Sequence, residues 1–187
     1  MEIILASASP RRKELMGHFP FPVTVRVSQA DEKMDSGKLP QDEVARISRN
    51  KARAVDRLED DIVIGADTIV VCDGVILGKP KNEADAMRML SLLSGRAHQV
   101  MTGVTVLRGN KCQSFTEITD VYFRPLSQQE ILSYIRSGDP MDKAGAYGIQ
   151  SGASLFVEKI VGDYYNVVGL PICHLSLVLK EFMEETP

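Results

Sequence analysis

The distribution of apolar and polar residues along this chain predicts strands and helices in mixed order. Uninterrupted or alternating apolar runs predict seven strands, at residues 3–6, 21–27, 62–72, 75–77, 100–107, 115–123 and 155–160. Apolar residues at helical spacing predict a helix from Pro40 to about Leu58 and a final helix from Pro171 to about Met183.

Cap and turn signals add three helices and one hairpin. They predict helices at residues 10–17, 82–95 and 127–136. The pair Ser9-Pro10 begins the first, an asparagine caps the second, and a Ser-x-x-Glu capping box begins the third. Asp73-Gly74 between apolar runs predicts a tight hairpin, because both residues tolerate positive φ.

Hairpins interspersed with helices indicate an α/β fold around a mixed β-sheet flanked by helices, not a simple parallel doubly wound sheet. A length of 187 residues is enough for one domain with a real core, or for two closely merged lobes. No linker, internal repeat or low-complexity tract interrupts the chain, so we expect residues 1–187 to form a single domain.

Composition and charge narrow the range of functions. The chain is 44% hydrophobic with a net charge of −3, which argues against nucleic-acid binding, because that requires a basic face. A few arginines would still suffice for a small anionic ligand. The widely spaced Cys72, Cys112 and Cys173 are expected to be reduced and buried. Without a signal-peptide pattern or an apolar run of roughly 20 residues, the chain is expected to be cytoplasmic, with no membrane partner.

The segment from Ser7 to Lys13 is the first candidate site. A predicted strand runs into a predicted helix, whose free N–H groups and positive dipole end favour an anion. Ser7 and Ser9 add hydroxyl donors, and Arg11 and Arg12 add guanidinium groups suited to phosphate oxygens. Three cations in the first turn oppose the dipole, a cost that a bound polyphosphate relieves. The alternative is a capped helix with a solvated basic start.

A single carboxylate, Asp67, interrupts the apolar strand at 62–72. An ionised group there is costly unless positive charge or several donors compensate it. A Mg²⁺ or Mn²⁺ ion that bridges to phosphates provides such compensation, because these ions favour one or two carboxylates plus substrate oxygens. The alternative is that Asp67 ends the strand and caps a turn.

Other residues fit a nucleotide site less specifically. Glu32 is a candidate second carboxylate, with an exposed loop acid as the alternative, and Lys51 lies among helical charges where a solvated face is the default. The proline after Lys79 restricts it to extended geometry that suits contact with a phosphate. The glycine-rich loop that ends at Gln150 either approaches a flat base or is a plain tight loop. The three histidines lack ligand spacing and are expected to be structural or surface residues.

These stretches together resemble the Maf-like nucleotide pyrophosphatases, relatives in fold of the inosine triphosphatases. The matching segments span nearly the whole chain in order: LASASPRR (5–12), GADTIV (65–70), GKP (78–80), LSGRAHQVMTGV (93–104), DKAGAYGIQ (142–150) and GDYYNVVGLP (162–171). The resemblance implies a cleft between two merged lobes and a house-cleaning enzyme that splits a nucleoside triphosphate into a monophosphate and pyrophosphate. It also implies a divalent cation, Mg²⁺ or Mn²⁺, and a homodimer.

The resemblance further implies roles for individual residues. Asp67 becomes the proton acceptor or metal anchor, with Glu32 as the second metal carboxylate. The residues around the triphosphate and metal are Ser7, Arg11, Arg12, Glu32, Lys51 and Lys79. Arg12, Thr68 and Gln150 match positions associated with substrate choice and look like the branch that acts on dTTP and UTP. The segment 151–153 departs from relatives, which often carry Gly soon after the Gln.

Two alternatives remain open at this point. One is the same reaction with another base preference, such as 7-methyl-GTP. The other is a non-catalytic, nucleotide-binding regulator of septum formation and cell division, which would bind nucleotides without turnover.

Overall fold

The computed structural model describes residues 1–35 and 37–184. The strands are β1 (Ile3–Leu5), β2 (Thr24–Val25), β3 (Ile62–Cys72), β4 (Val75–Leu77), β5 (Ala97–Arg108), β6 (Lys111–Phe123) and β7 (Val157–Val161). The α-helices are α1 (Pro10–Met16), α2 (Pro40–Arg53), α3 (Glu83–Leu93), α4 (Gln128–Arg136), α5 (Tyr164–Val168) and α6 (Ile172–Glu184). Within the described residues, no helix is long and apolar enough to cross a membrane.

The strands form one mixed sheet in the order β2-β1-β3-β5-β6-β7, with β4 paired to β3 off this path. β1 runs parallel to both β2 and β3, whereas the pairs β3–β4 and β6–β7 are antiparallel. This arrangement confirms the predicted α/β fold around a mixed sheet.

The chain divides into two compact units. The first comprises residues 1–67, residues 102–117 and the described residues from 169 onward, and the second comprises residues 68–101 and 118–168. β3, β5 and β6 each contribute residues to both units.

In the first unit, two glycines let α2 lie directly against the sheet. A Cβ atom on Gly65 of β3 would lie 2.2 Å from the carbonyl oxygen of Ser48, and one on Gly103 of β5 would lie 2.3 Å from the carbonyl carbon of Val44. Both clashes are with backbone, so a side chain at either glycine would force the whole helix outward. This close approach brings the C-terminal half of α2 to the strand that carries Asp67.

Buried hydroxyl groups fix α2 along the same surface. Ser48 Oγ and Thr105 Oγ1 lie 2.8 Å apart, and Thr105 Oγ1 lies 2.8 Å from Ser114 Oγ. Ser48 and Thr105 are fully buried, so these hydrogen bonds cannot be exchanged for bonds to water without opening the interface. The chain of hydroxyls therefore sets the register of α2 on β5 and β6.

In the second unit, aromatic rings pack around a buried histidine on β5. The His98 ring makes edge contacts with Phe123 and Tyr147, at centroid distances of 4.9 and 5.3 Å. His98 Nε2 lies 2.8 Å from the Tyr147 hydroxyl, and Tyr134 packs against Phe156 in the same region. This placement agrees with the structural role expected for the histidines.

Most predicted boundaries are confirmed to within about two residues, but β5 and β6 begin three and four residues earlier than predicted. Three other elements also differ from the prediction. The helix predicted to reach Leu58 ends at Arg53, because the Asp61 carboxylate accepts the backbone N–H of Leu58 at 2.8 Å and holds the following segment as a turn. Only two residues of the predicted strand at 21–27 pair as β2. The strand predicted at 155–160 begins at Val157, because a 3₁₀ turn occupies the preceding residues.

One helix was not predicted, and one expectation was wrong. The sequence did not predict α5, a helix of five residues too short for a periodic signal. The three cysteines are free, but only Cys72 is buried, so the expected burial of Cys112 and Cys173 is wrong. Cys173 lies outside the apolar stripe of α6 that faces inward.

Burial of His98 makes stability depend on pH. Burial lowers the pKa of His98 to about 4, below the unfolded value of about 6.5, so the folded state resists protonation. The stabilisation of the folded state by the neutral His98 ring is fully present above pH 6.5 and is lost as pH falls towards 4. We therefore compare the free energy of unfolding in denaturant at pH 7.5 and at pH 4.5. Between these pH values the wild type should lose about 2.5 kcal/mol more than His98→Gln, whose side chain cannot titrate. Equal losses in the two proteins would contradict this assignment.

Candidate active site

The centre of the candidate site is a buried ion pair between β3 and α2. Lys51 Nζ lies 2.8 Å from Asp67 Oδ1, and the two side chains are only 9% and 11% exposed. Gly65 and Asp67 lie two residues apart in β3 and so face the same side of the strand, towards α2. The default expectation that Lys51 lies on a solvated face is therefore wrong, and Asp67 lies inside β3 instead of ending it.

A second carboxylate meets the same ammonium group. Lys51 Nζ lies 2.9 Å from Glu32 Oε1, and the Glu32 side chain is 57% exposed. The loop that carries Glu32 is attached to α2 by two residues. Asp35 N–H donates to Glu43 Oε2 at 2.6 Å, and Arg46 Nη2 donates to the carbonyl of Lys33 at 2.8 Å. Glu32 is thus held through its own carboxylate and by the attachment of the residues that follow it in the loop.

Glu43 and Arg46 also bind each other. Arg46 donates to both carboxylate oxygens of Glu43, at 2.8 and 2.7 Å, and the Glu43 side chain is 1% exposed. The hydrogen bond from Arg46, followed by that from the Asp35 backbone, lowers the pKa of Glu43 to about 2. Glu43 therefore stays ionised and keeps the Glu32 loop attached at any pH near neutrality.

Arg12 is buried beside this cluster and is held mainly by backbone carbonyls. Its Nε donates to the carbonyl of Gly169 at 2.8 Å, and its Nη1 donates to the carbonyl of Ala66 at 2.9 Å and to Ser7 Oγ at 3.2 Å. Burial lowers the pKa of Arg12, while the carboxylates of Asp67 and Glu32 act in the opposite direction. The guanidinium group therefore adds positive charge close to both carboxylates.

Ser7 is oriented to donate its own proton. Its Oγ accepts hydrogen bonds from the backbone N–H of Ser9 at 3.2 Å and from Arg12 Nη1. Ser9 in turn caps α1 by accepting the N–H of Arg12 at 3.4 Å, as the sequence predicted. With both lone pairs engaged, the Ser7 hydroxyl hydrogen is the part of the group that remains for a ligand oxygen.

The first unit therefore brings together Ser7, Arg12, Glu32, Lys51 and Asp67, while Arg11 lies half-buried in the first turn of α1. Sequence reasoning missed the residues that hold this group: Glu43, Arg46 and the carbonyls of Ala66 and Gly169. The only sequence feature that pointed to Gly169 was its place in GDYYNVVGLP (162–171), one of the segments that resemble the family. No sequence feature pointed to Glu43, because charged residues in helices are usually exposed to solvent.

The other predicted residues lie in the second unit. Thr68 is half-buried in β3, Lys79 is exposed after β4, and Gln150 is exposed at the end of its loop. Gly145 N–H in that loop donates to the carbonyl of Gly78 at 3.0 Å, which joins it to the segment that carries Lys79.

The two carboxylates of this cluster are donors of the kind that a divalent cation takes. Within residues 1–35 and 37–184, no group of three or more His, Cys, Asp or Glu side chains is arranged to hold a metal. Asp67 and Glu32 each use one oxygen on Lys51, and neither Asp67 Oδ2 nor Glu32 Oε2 is bonded to another described residue. Two carboxylates with open oxygens suit Mg²⁺ or Mn²⁺ when phosphate oxygens complete the shell.

Comparison with known proteins identifies the family of this chain. A model of the Maf-like protein family matches residues 2–182. A dTTP/UTP pyrophosphatase of Bacillus cereus (strain AH187) is 50% identical over 182 residues, which cover 97% of this chain and 95% of the relative. A dTTP/UTP pyrophosphatase of Bacillus pumilus (strain SAFR-032) is 49% identical, over 97% of this chain and 96% of the relative.

Solved structures with some similarity include a HAM1 protein from Coxiella burnetii, at a TM-score of 0.47 and 13% identity, over 97% of this chain and 99% of that one. The Ham1 protein of Staphylococcus aureus has a TM-score of 0.45 and 18% identity, over 66% of this chain and 72% of that one. The sequence matches are far stronger and extend over almost the whole length. The chain therefore belongs to the Maf-like protein family.

Proposed function

We propose that this protein is a nucleoside triphosphate pyrophosphatase that hydrolyses dTTP and UTP to the monophosphate and pyrophosphate. The observation that carries the proposal is the buried Lys51–Asp67 pair, with Glu32 on the same ammonium group and Arg12 beside it. The names of the curated relatives support the same pair of substrates.

The charges and donors of the first unit support phosphate binding. Ser7 has a hydroxyl proton to give, and the half-buried Arg11 has a guanidinium group that suits phosphate oxygens. Arg12 contributes charge from a fixed position, because backbone carbonyls hold it. Lys79 stays a predicted phosphate contact on the family resemblance.

In the proposed reaction, Asp67 orients a water molecule and accepts a proton from it. The water oxygen forms a bond to the α-phosphorus while the bond from that phosphorus to the bridging α–β oxygen breaks, and pyrophosphate leaves. Lys51 holds Asp67 in place through its 2.8 Å contact, so the carboxylate that accepts the proton has a fixed position in the site. Positioning and electrostatics supply most of the rate enhancement in such a reaction.

Asp67 and Glu32 are the residues that would hold a divalent cation, Mg²⁺ or Mn²⁺, together with phosphate oxygens. When bound, such an ion supplies neutralisation of the charge on the phosphates. On the family resemblance, the proposal also includes a homodimer, a cytoplasmic location, and selection of the base by Arg12, Thr68 and Gln150.

A panel of nucleotides tests the proposed function. Pyrophosphate release would be measured with dTTP, UTP, CTP, ITP and 7-methyl-GTP in the presence of Mg²⁺ or Mn²⁺. We expect dTTP and UTP to be converted at rates at least about tenfold above the others, because one pocket discriminates among bases by about that factor or more. Turnover of only 7-methyl-GTP would support the proposed reaction but reject dTTP and UTP as its substrates. Binding without turnover of any nucleotide would support the regulator instead.

A further inference from the structure

The loop that ends at Gln150 is fixed on both sides of that residue by side chains of the second unit. Gly148 N–H donates to the Tyr134 hydroxyl at 3.1 Å, two residues before Gln150. One residue after it, Ser151 Oγ lies 2.5 Å from Asp139 Oδ2 and 3.0 Å from the carbonyl of Gly148. The single Ser151 proton goes to the carboxylate, which is the nearer and stronger acceptor.

Asp139 is the centre of this network. Its Oδ2 accepts from the Tyr134 hydroxyl as well as from Ser151, and its Oδ1 lies 3.0 Å from Lys143 Nζ. Burial alone would raise the pKa of Asp139, but the hydrogen bonds from Ser151, Tyr134 and Lys143 outweigh burial and lower it. Asp139 is therefore ionised near neutral pH, and its bonds to the hydroxyls are charge-assisted.

The loop itself has a conformation that needs such support. Gly145 and Ala146 have φ values of 68° and 60°, and Ala146 is fully buried. A non-glycine residue in this left-handed region costs about 1 kcal/mol or more and persists only when its surroundings impose it. A Cβ atom on Gly145 would lie 2.8 Å from the Val70 side chain, so β3 limits the loop on its other side.

Gln150 is the exposed end of this rigid segment. Its side chain makes no hydrogen bond to another described residue, so its amide is available for a ligand. Uracil and thymine present an N–H donor beside a carbonyl acceptor, and an amide placed opposite that edge pairs with both. Cytosine presents an amine where they present the carbonyl, so discrimination depends on where the amide is held.

We propose that Asp139, Tyr134 and Ser151 are positioning residues that hold Gln150 against the pyrimidine edge and thereby set the preference for dTTP and UTP over CTP. This inference rests on the proposed function and adds how the base is selected.

The test uses Ser151→Ala, with Ser154→Ala as a matched control, because the exposed Ser154 side chain makes no hydrogen bond to another described residue. We expect KM for dTTP and UTP to rise about tenfold and the ratio of kcat/KM for dTTP over CTP to fall about tenfold, with kcat changed less than about twofold. Inhibition by inorganic tripolyphosphate, which has no base, should be unchanged. Ser151→Thr keeps the hydroxyl and should restore the ratio, and Tyr134→Phe should lower it.

The outcomes separate the two proposals. If the wild type turns over dTTP and UTP but a folded Ser151→Ala protein keeps the wild-type KM and ratio, the positioning role is wrong and the proposed function stands. If the wild type turns over no nucleotide, both are wrong. A third outcome is that Ser151→Ala raises KM for dTTP and the inhibition constant for tripolyphosphate by the same factor and also lowers the melting temperature. In that case Ser151 supports general stability, and the positioning role is overturned.

Discussion

The Asp67→Asn protein is expected to fold normally and to lose at least about 10³-fold in kcat for dTTP. The amide occupies the same volume but cannot accept a proton from water, so the step that forms the nucleophile is lost. Lys51 keeps Glu32 as an ionic partner at 2.9 Å, so the buried ammonium group is not left without a counter-charge. Pyrophosphate release and the melting temperature would be measured on the same preparation.

The matched control for this change is Asp60→Asn, an exposed carboxylate in the turn before β3 that makes no bond to another described residue. It alters net charge equally and should leave kcat within about twofold of wild type. Near wild-type turnover by a folded Asp67→Asn protein would remove Asp67 from the centre of the reaction.

The Gly65→Ala protein is expected to lose about 3 kcal/mol of unfolding free energy and at least about tenfold in kcat. The added methyl group would lie 2.2 Å from the Ser48 carbonyl oxygen and 2.8 Å from the Ala52 nitrogen. These atoms lie four residues apart in α2, where a helical hydrogen bond joins them, so neither can move alone. The helix must shift, and Lys51 shifts with it away from Asp67.

Denaturant unfolding and steady-state kinetics check this prediction together. Gly78→Ala is the stability control, because a Cβ atom there meets nothing within 4 Å, and it should cost less than about 1 kcal/mol. A Gly65→Ala protein as stable and active as wild type would show that the contact between α2 and β3 does not position the ion pair.

Elements with strong local signals were predictable from the sequence. β3 and the turn after it have the predicted bounds, because an apolar run and an Asp-Gly pair leave few alternatives. The Ser127–Glu130 capping box is present as predicted. The end of α2 was not predictable, because the Asp61 contact with Leu58 depends on the tertiary fold and not on helix propensity.

The candidate site was partly predictable for a similar reason. Asp67 was conspicuous because a carboxylate in an apolar strand is rare. Lys51 was not, because only the docking of α2 on Gly65 and Gly103 converts a helical charge into a buried one. Glu43 and Arg46, which hold the Glu32 loop, act through contacts with backbone groups that no spacing rule reveals.

Hydrolysis of dTTP in water enriched in ¹⁸O tests the central claim most directly. If water attacks the α-phosphorus, the products are dTMP and pyrophosphate, and mass spectrometry will find one ¹⁸O atom in dTMP and none in pyrophosphate. Label in the pyrophosphate would mean attack at the β-phosphorus. Release of dTDP with labelled orthophosphate would mean attack at the γ-phosphorus, and either result would contradict the proposed reaction.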